Sequence, residues 1–180
     1  MSQQKIKIEL LAPAKDYETG VAAINHGADA VYIGALQFGA RQAAGNSIAD
    51  ITRLVEYAHL FGVKVYVTAN ILAHNDDLAG AAEYFEELKN MKPDQPDALI
   101  ISDPGMFAIA KSVWPEVEIH ISTQANNTNY MTYQFWYEQG AKRVVSAREL
   151  SLKEIREIRD HIPEDMEIES FMHGAMCISY

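Results

Sequence analysis

The sequence has 180 residues, 48% of them hydrophobic, which fits one globular domain with a sizeable core. Its formal net charge of −10 disfavours a nonspecific grip on a nucleic-acid backbone, which needs clustered Lys and Arg. The polar N-terminus gives no sign of a secretory leader, and no apolar run approaches the about 18 residues of a membrane span. The single cysteine cannot form an internal disulfide, and we therefore expect a cytoplasmic protein.

Short apolar runs rich in β-branched residues recur along the chain and have the length of buried parallel strands. The seven predicted strands are Ile6–Leu11, Ala30–Ile33, Val63–Thr68, Ala98–Ile101, Val117–Ser122, Arg143–Ser146 and Glu167–Phe171.

Segments of helical period lie between these strands, and several carry N-cap signals. Asp16 is the expected cap of the first helix, and Asp76 or Asp77 that of the third. Ser47 and Ser151 each begin a capping-box pattern.

Glycines end the helices at a regular interval. Gly27 and Gly62 are about 35 residues apart, and Gly140 follows after about two further intervals. Each glycine suits the left-handed residue after a helix, and a strand follows within a few residues. The sequence therefore predicts an α/β fold built from a repeated strand–helix unit.

We expect a TIM-type (β/α) barrel rather than a doubly wound nucleotide-binding sheet. The turn predicted after the first strand, 12–15, lacks the glycines of a phosphate-binding loop. A closed barrel of this type has eight strands, and seven are predicted. Residues 1–180 are thus interpreted as a single N-terminal barrel domain, incomplete before the eighth strand, with open edges that invite self-association or completion by another segment.

Polar residues gather at the predicted C-terminal strand ends, where barrel active sites form. The candidates for catalysis are Asn70, Asp103, His120, Gln124, Glu169 and His173. Structural alternatives stay open: Asp103 is as well placed to cap a helix before Pro104, Gln124 suits a turn, and the direction of His120 depends on strand register.

Cys177 is either a small buried hydrophobe or a metal ligand. Together with His173 it provides too few ligands for a zinc site. Zinc-protease and serine-hydrolase motifs are absent from the sequence.

Eight segments, in the same order along the chain, resemble peptidase family U32 over essentially its whole length. They are 9–14, 30–34, 38–41, 67–70, 101–105, 120–126, 147–150 and 169–177. The resemblance implies either a collagenase-like protease or an oxygen-independent hydroxylase that acts on tRNA or rRNA. In the second case it implies a 4Fe-4S cluster with Cys177 as a ligand, although one cysteine cannot hold such a cluster. It also implies prephenate as a co-substrate, whose carboxylates Arg41 and Arg148 are candidates to bind.

Three functions therefore stay open. The favoured one is an iron–sulfur, prephenate-dependent hydroxylase of the tRNA-uridine-modifying type, which would contact RNA through a C-terminal region absent from these residues. The alternatives are a peptidase and a non-enzymatic partial barrel that binds another subunit.

Overall fold

The computed structural model describes residues 8–39 and 45–174. The described strands form one parallel sheet in sequence order, curled into a half-barrel with helices on its outer side. The strands are β1 Leu11–Ala14, β2 Ala30–Gly34, β3 Lys64–Ala69, β4 Ala98–Ile101, β5 Glu118–Ile121, β6 Arg143–Val145 and β7 Glu167–Glu169. The helices are α1 Tyr17–Asn25, α2 Ile48–Leu60, α3 Ala81–Lys89, α4 Pro104–Val113, α5 Tyr130–Glu138 and α6 Leu152–His161.

The predicted barrel architecture is therefore confirmed, but its first strand is displaced along the chain. Of the strand expected at Ile6–Leu11, residues 6 and 7 lie outside the described part of the chain. The described strand begins at Leu11 and continues to Ala14, through the segment interpreted as a turn. Its ladder is set by β2, with Leu11 opposite Ala30 and Ala14 opposite Ile33. Pro13 is tolerated because β1 lies at the edge of the described sheet, so the N–H group that proline lacks is not needed for a hydrogen bond to a neighbouring strand.

Most helix starts follow the predicted local chemistry. Asp16, Ser47 and Ser151 each accept a hydrogen bond from the third residue of their helix, in complete capping boxes. The prediction for α3 is wrong. Its cap position is Gly80, in a left-handed conformation at φ 86° and without a side-chain cap, whereas Asp77 accepts a bond from the backbone of His74.

The two faces of the sheet differ in chemistry because side chains alternate along each strand. The outer face is apolar and packs against the helices through residues such as Val65, Leu99 and Ile119, all fully buried. The inner face carries a smaller apolar cluster around Tyr66 and Ile100, and beside it a group of charged side chains. None of the described helices is long and apolar enough to cross a membrane.

Candidate functional site

Arg143, the first residue of β6, is the centre of an ionic network inside the half-barrel. Its Nη1 lies 2.7 Å from Glu9 Oε1, its Nη2 2.6 Å from Glu167 Oε2, and its Nη1 3.4 Å from Glu169 Oε2. Only 6% of Arg143 is exposed. A guanidinium provides five donors in a fixed plane, so one arginine can serve several carboxylates. The network therefore connects Glu9, which precedes the edge strand β1, with Glu167 and Glu169 of the other edge strand, β7.

Tyr66 and His120 extend the network towards the middle strands. The Tyr66 hydroxyl donates to Glu9, with both carboxylate oxygens 3.0 Å away. The His120 ring meets the Tyr66 ring edge to face at 4.6 Å, and its Nε2 lies 2.8 Å from Glu118 Oε1. Because His120 contacts Tyr66 of the inner-face cluster, its side chain points into the half-barrel rather than towards a helix.

Burial lowers the pKa of His120, and the hydrogen bond to Glu118 only partly opposes this effect. The imidazole is therefore neutral near pH 7. The same hydrogen bond lowers the pKa of Glu118, so its carboxylate is ionised and accepts the Nε2 proton. His120 Nδ1 then carries a buried lone pair, and it has no hydrogen-bond partner among the described residues. This geometry suits an internal structural or positioning role.

Asn70 directly follows β3. Its Nδ2 is 3.4 Å from Ser122 Oγ after β5, and its backbone carbonyl accepts a 3.1 Å bond from Ser102 Oγ after β4. The carboxyl ends of three strands thus meet through small polar groups. Of the predicted site residues, Asn70 is the one in this contact, between Ser102 and Ser122.

A small cavity of about 180 Å³ lies among the residues that follow β6 and β7, at the rim formed by the carboxyl ends of the strands. We call it the rim cavity. The Arg148 guanidinium stacks over the Phe171 ring at 3.9 Å, and Ser146 Oγ lies 2.9 Å from Ser170 Oγ. The buried Arg148 Nε has no hydrogen-bond partner among the described residues. The cavity is lined by Ser146, Ala147, Arg148, Leu150, Ile155, Ser170, Phe171, Met172, His173 and Gly174. A guanidinium beside an aromatic ring suits a planar or carboxylate-bearing small molecule.

The predicted site residues therefore divide into separate groups. Arg148 and the exposed His173 line the rim cavity, whereas Glu169 points into the ionic network. Gln124 is exposed in a short 3-10 turn at Thr123–Ala125, as its structural alternative expected. Arg41 and Cys177 lie outside the described residues.

Asp103 adopts its structural alternative and caps α4. Its Oδ1 accepts a 3.0 Å bond from Met106 N, and Pro104 takes the first helical position. We expect Asp103→Ala to lower the free energy of unfolding by about 1 kcal/mol, and Asp103→Asn by much less, because asparagine also caps. Urea unfolding of the two variants measures this, and equal losses would contradict a capping role.

Sequence reasoning missed Arg143, Glu9, Tyr66 and Glu118. A signal was present, because Glu167 and Glu169 alternate with an apolar residue in the seventh strand. Charges at a period of two inside a predicted strand indicate an inner face that is charged rather than apolar.

No group of three or more His, Cys, Asp and Glu side chains among the described residues could hold a metal ion. The whole sequence contains one cysteine. A 4Fe-4S cluster takes four thiolates, so the ligand set of this chain does not fit one.

Comparison with known proteins identifies relatives of this chain. The model of peptidase family U32 matches residues 15–180. The chain is 46% identical over 175 residues to tRNA hydroxylation protein P1 of Bacillus subtilis (strain 168), covering 97% of this chain and 40% of that protein. It is 41% identical over 180 residues to the 23S rRNA 5-hydroxycytidine C2501 synthase of Escherichia coli (strain K12), covering all of this chain and 26% of that protein.

Among solved structures, the U32 peptidase Mk0906 superimposes with a TM-score of 0.73 at 11% sequence identity, covering 94% of this chain and 70% of that one. This likeness supports the fold. The chain spans 40% or less of the length of both curated relatives named above. The family match nevertheless covers nearly all of its residues, and the chain belongs to peptidase family U32.

Proposed function

We propose that this chain is the N-terminal barrel portion of an RNA-hydroxylation protein that modifies uridine in tRNA. The observation that carries the proposal is the 46% identity to a tRNA hydroxylation protein along 97% of the chain. The 41% identity to an rRNA hydroxycytidine synthase points to the same class of chemistry on a nucleobase. With a net charge of −10, these residues are poorly suited to hold RNA, so RNA contact is assigned to other parts of the protein.

The rim cavity is the proposed site for the small co-substrate. Prephenate, the proposed oxygen donor, carries carboxylates that a guanidinium binds through two parallel hydrogen bonds. Arg148 is held by its stacking on Phe171, which reduces the freedom that it would lose on binding. The 4Fe-4S cluster belongs to the proposal only with Cys177 and further cysteines that this sequence does not contain.

Arg148 is the residue whose substitution tests this site in the full-length protein. We expect Arg148→Ala to reduce the hydroxylated uridine in cellular tRNA by at least about tenfold, since a charge-assisted hydrogen bond contributes about 1.5–3 kcal/mol. Arg148→Lys should retain part of the activity, because it keeps the charge but loses the planar pair of donors. The measurement is mass spectrometry of tRNA nucleosides from a strain that lacks the native gene.

Arg156→Ala is the matched control, because Arg156 is exposed on the neighbouring helix α6. It should leave the hydroxylated uridine unchanged. If Arg148→Ala also leaves it unchanged, the assignment of the rim cavity is wrong. Cleavage of peptides or gelatin by the purified protein, together with unchanged tRNA in the gene-deletion strain, would favour the peptidase alternative.

A further inference from the structure

A second cavity lies beyond the carboxyl ends of β2 and β3. It encloses about 490 Å³, within the range of small-molecule sites, and shares no lining residue with the rim cavity. Its walls come from the segments 36–38 and 71–80, which follow β2 and β3, and from one face of α3. The charged residues that line it are all acidic, and we call it the acidic cavity: they are Asp76, Asp77, Glu83 and Glu87.

These carboxylates lack a compensating cation. Glu83 and Glu87 are four residues apart and lie on the same face of α3, a spacing at which like charges destabilise a helix. Asp77 Oδ2 accepts a 2.8 Å hydrogen bond from the backbone nitrogen of His74, which fixes it in the turn before α3. None of the four carboxylates forms an ion pair with a described residue. The electrostatic potential in the cavity is therefore negative.

Tyr84 adds a buried polar group without a partner. Its side chain lines the cavity, only 4% of the residue is exposed, and its hydroxyl makes no hydrogen bond with a described residue. Burial raises the pKa of Tyr84, and the Glu87 carboxylate adds to this effect, so the hydroxyl lies near a carboxylate that borders the cavity. Buried polar groups nearly always have a hydrogen-bond partner, and the missing one points to a ligand group.

The distribution of the carboxylates selects the kind of cation. Among the described residues no three acidic, histidine or cysteine side chains converge closely enough to hold a metal ion. The negative charges are instead divided between α3 and the loop before it. Apolar side chains also line the cavity, those of Leu36, Phe38 and Ile71. Separated carboxylates beside apolar surface suit a flexible organic cation whose ammonium groups are joined by methylenes.

We propose that the acidic cavity binds a small aliphatic polyamine, with one ammonium group at the α3 carboxylates and another at the loop aspartates. The methylene chain lies against Leu36 and Ile71. An ammonium N–H donates to the Tyr84 hydroxyl oxygen and is the partner that this oxygen lacks in the free chain. The bound cation also relieves the repulsion between Glu83 and Glu87, so it stabilises the folded chain.

The first test is isothermal titration calorimetry of the 180-residue chain with spermidine, at pH 7.5 and low ionic strength. Spermidine should bind at least about tenfold more tightly than butylamine, which has one ammonium group. Glu83→Gln/Glu87→Gln should weaken spermidine binding at least about tenfold, because charge-assisted hydrogen bonds are lost.

Glu86→Gln/Glu116→Gln is the matched control for this loss. It removes two exposed carboxylates that do not line the cavity, with the same change in net charge. It should change the affinity for spermidine by less than about twofold. Equal losses in the two double variants would show nonspecific attraction by the acidic chain, and would overturn the proposal.

Tyr84→Phe tests the buried hydroxyl. It should weaken spermidine binding about three- to tenfold, because one hydrogen bond is lost. The urea midpoint of the ligand-free chain should stay unchanged or rise, because the hydroxyl has no partner to lose. A lowered midpoint with unchanged affinity would show that the hydroxyl has a structural partner, and would refute its contact with the amine.

Two further probes show whether the occupant is a free amine. Mg²⁺ alone and the acetylated, amidated peptide Ala-Lys-Ala-Lys-Ala should each bind at least about tenfold more weakly than spermidine. Displacement of spermidine by an equal concentration of Mg²⁺ would indicate a metal site. Tighter binding of the peptide, lost in Glu83→Gln/Glu87→Gln, would indicate a basic segment of a protein. Either result would overturn the assignment to a polyamine.

Discussion

Replacing Arg143 by methionine is expected to lower the free energy of unfolding by about 3–5 kcal/mol. The reason is the loss of the shared cation: Glu9, Glu167 and Glu169 would stay in the interior without their guanidinium. Glu167 is 43% exposed at its side chain, so solvent relieves part of the cost and the lower end of this range is expected. Urea unfolding followed by circular dichroism at pH 7 measures the change.

Two further variants show whether unpaired charge causes the loss. Arg156→Met removes an exposed arginine and should change stability by less than about 0.5 kcal/mol. Adding Glu9→Gln and Glu169→Gln to Arg143→Met should recover a substantial part of the stability, because the stranded charges are then gone. A loss that is the same with and without these two substitutions would indicate that packing, not charge, is the contribution of Arg143.

The second large effect is expected at Asn127, which joins the ends of β5 and β6. Its Nδ2 donates to the carbonyls of Ser122 and Val145 at 3.1 and 3.3 Å, and its Oδ1 accepts from Trp136 Nε1 at 3.2 Å. The residue is fully buried. Asn127→Ala should lower the free energy of unfolding by roughly 2–4 kcal/mol, because it leaves a buried indole N–H and two carbonyls without these partners.

The same substitution should also disturb the rim cavity, since Ser146, Ala147 and Arg148 directly follow Val145 on this connection. Urea unfolding measures the stability, and Trp fluorescence reports on the indole bond. Thr128→Ala, an exposed neighbour, is the control and should be within about 0.5 kcal/mol of the unchanged chain. An Asn127→Ala variant as stable as this control would contradict the bridging role.

Local signals predicted well those parts of the fold that depend on neighbouring residues. The caps Asp16, Ser47 and Ser151 each require only a residue three positions later, so the sequence reveals them directly. Gly27, Gly62 and Gly140 take the positive φ values that their position after a helix predicts.

Features that depend on strand register were not predictable in the same way. Glu9 and Arg143 are 134 residues apart, and their pairing requires both to face inward at matching heights. The β1 boundary was misplaced because the pairing with β2 sets it, rather than the local apolar run. Arg148 and Phe171 meet because β6 pairs with β7, a relation that local periodicity does not contain.

The most direct measurement of the proposed tRNA hydroxylation is the hydroxylated-uridine content of cellular tRNA with and without the gene of the full-length protein. We predict that deletion removes most of this nucleoside and that the intact gene restores it, whereas a gene carrying Arg148→Ala does not. Unchanged hydroxylated uridine after deletion, in a strain that has no second copy of the gene, would contradict the account.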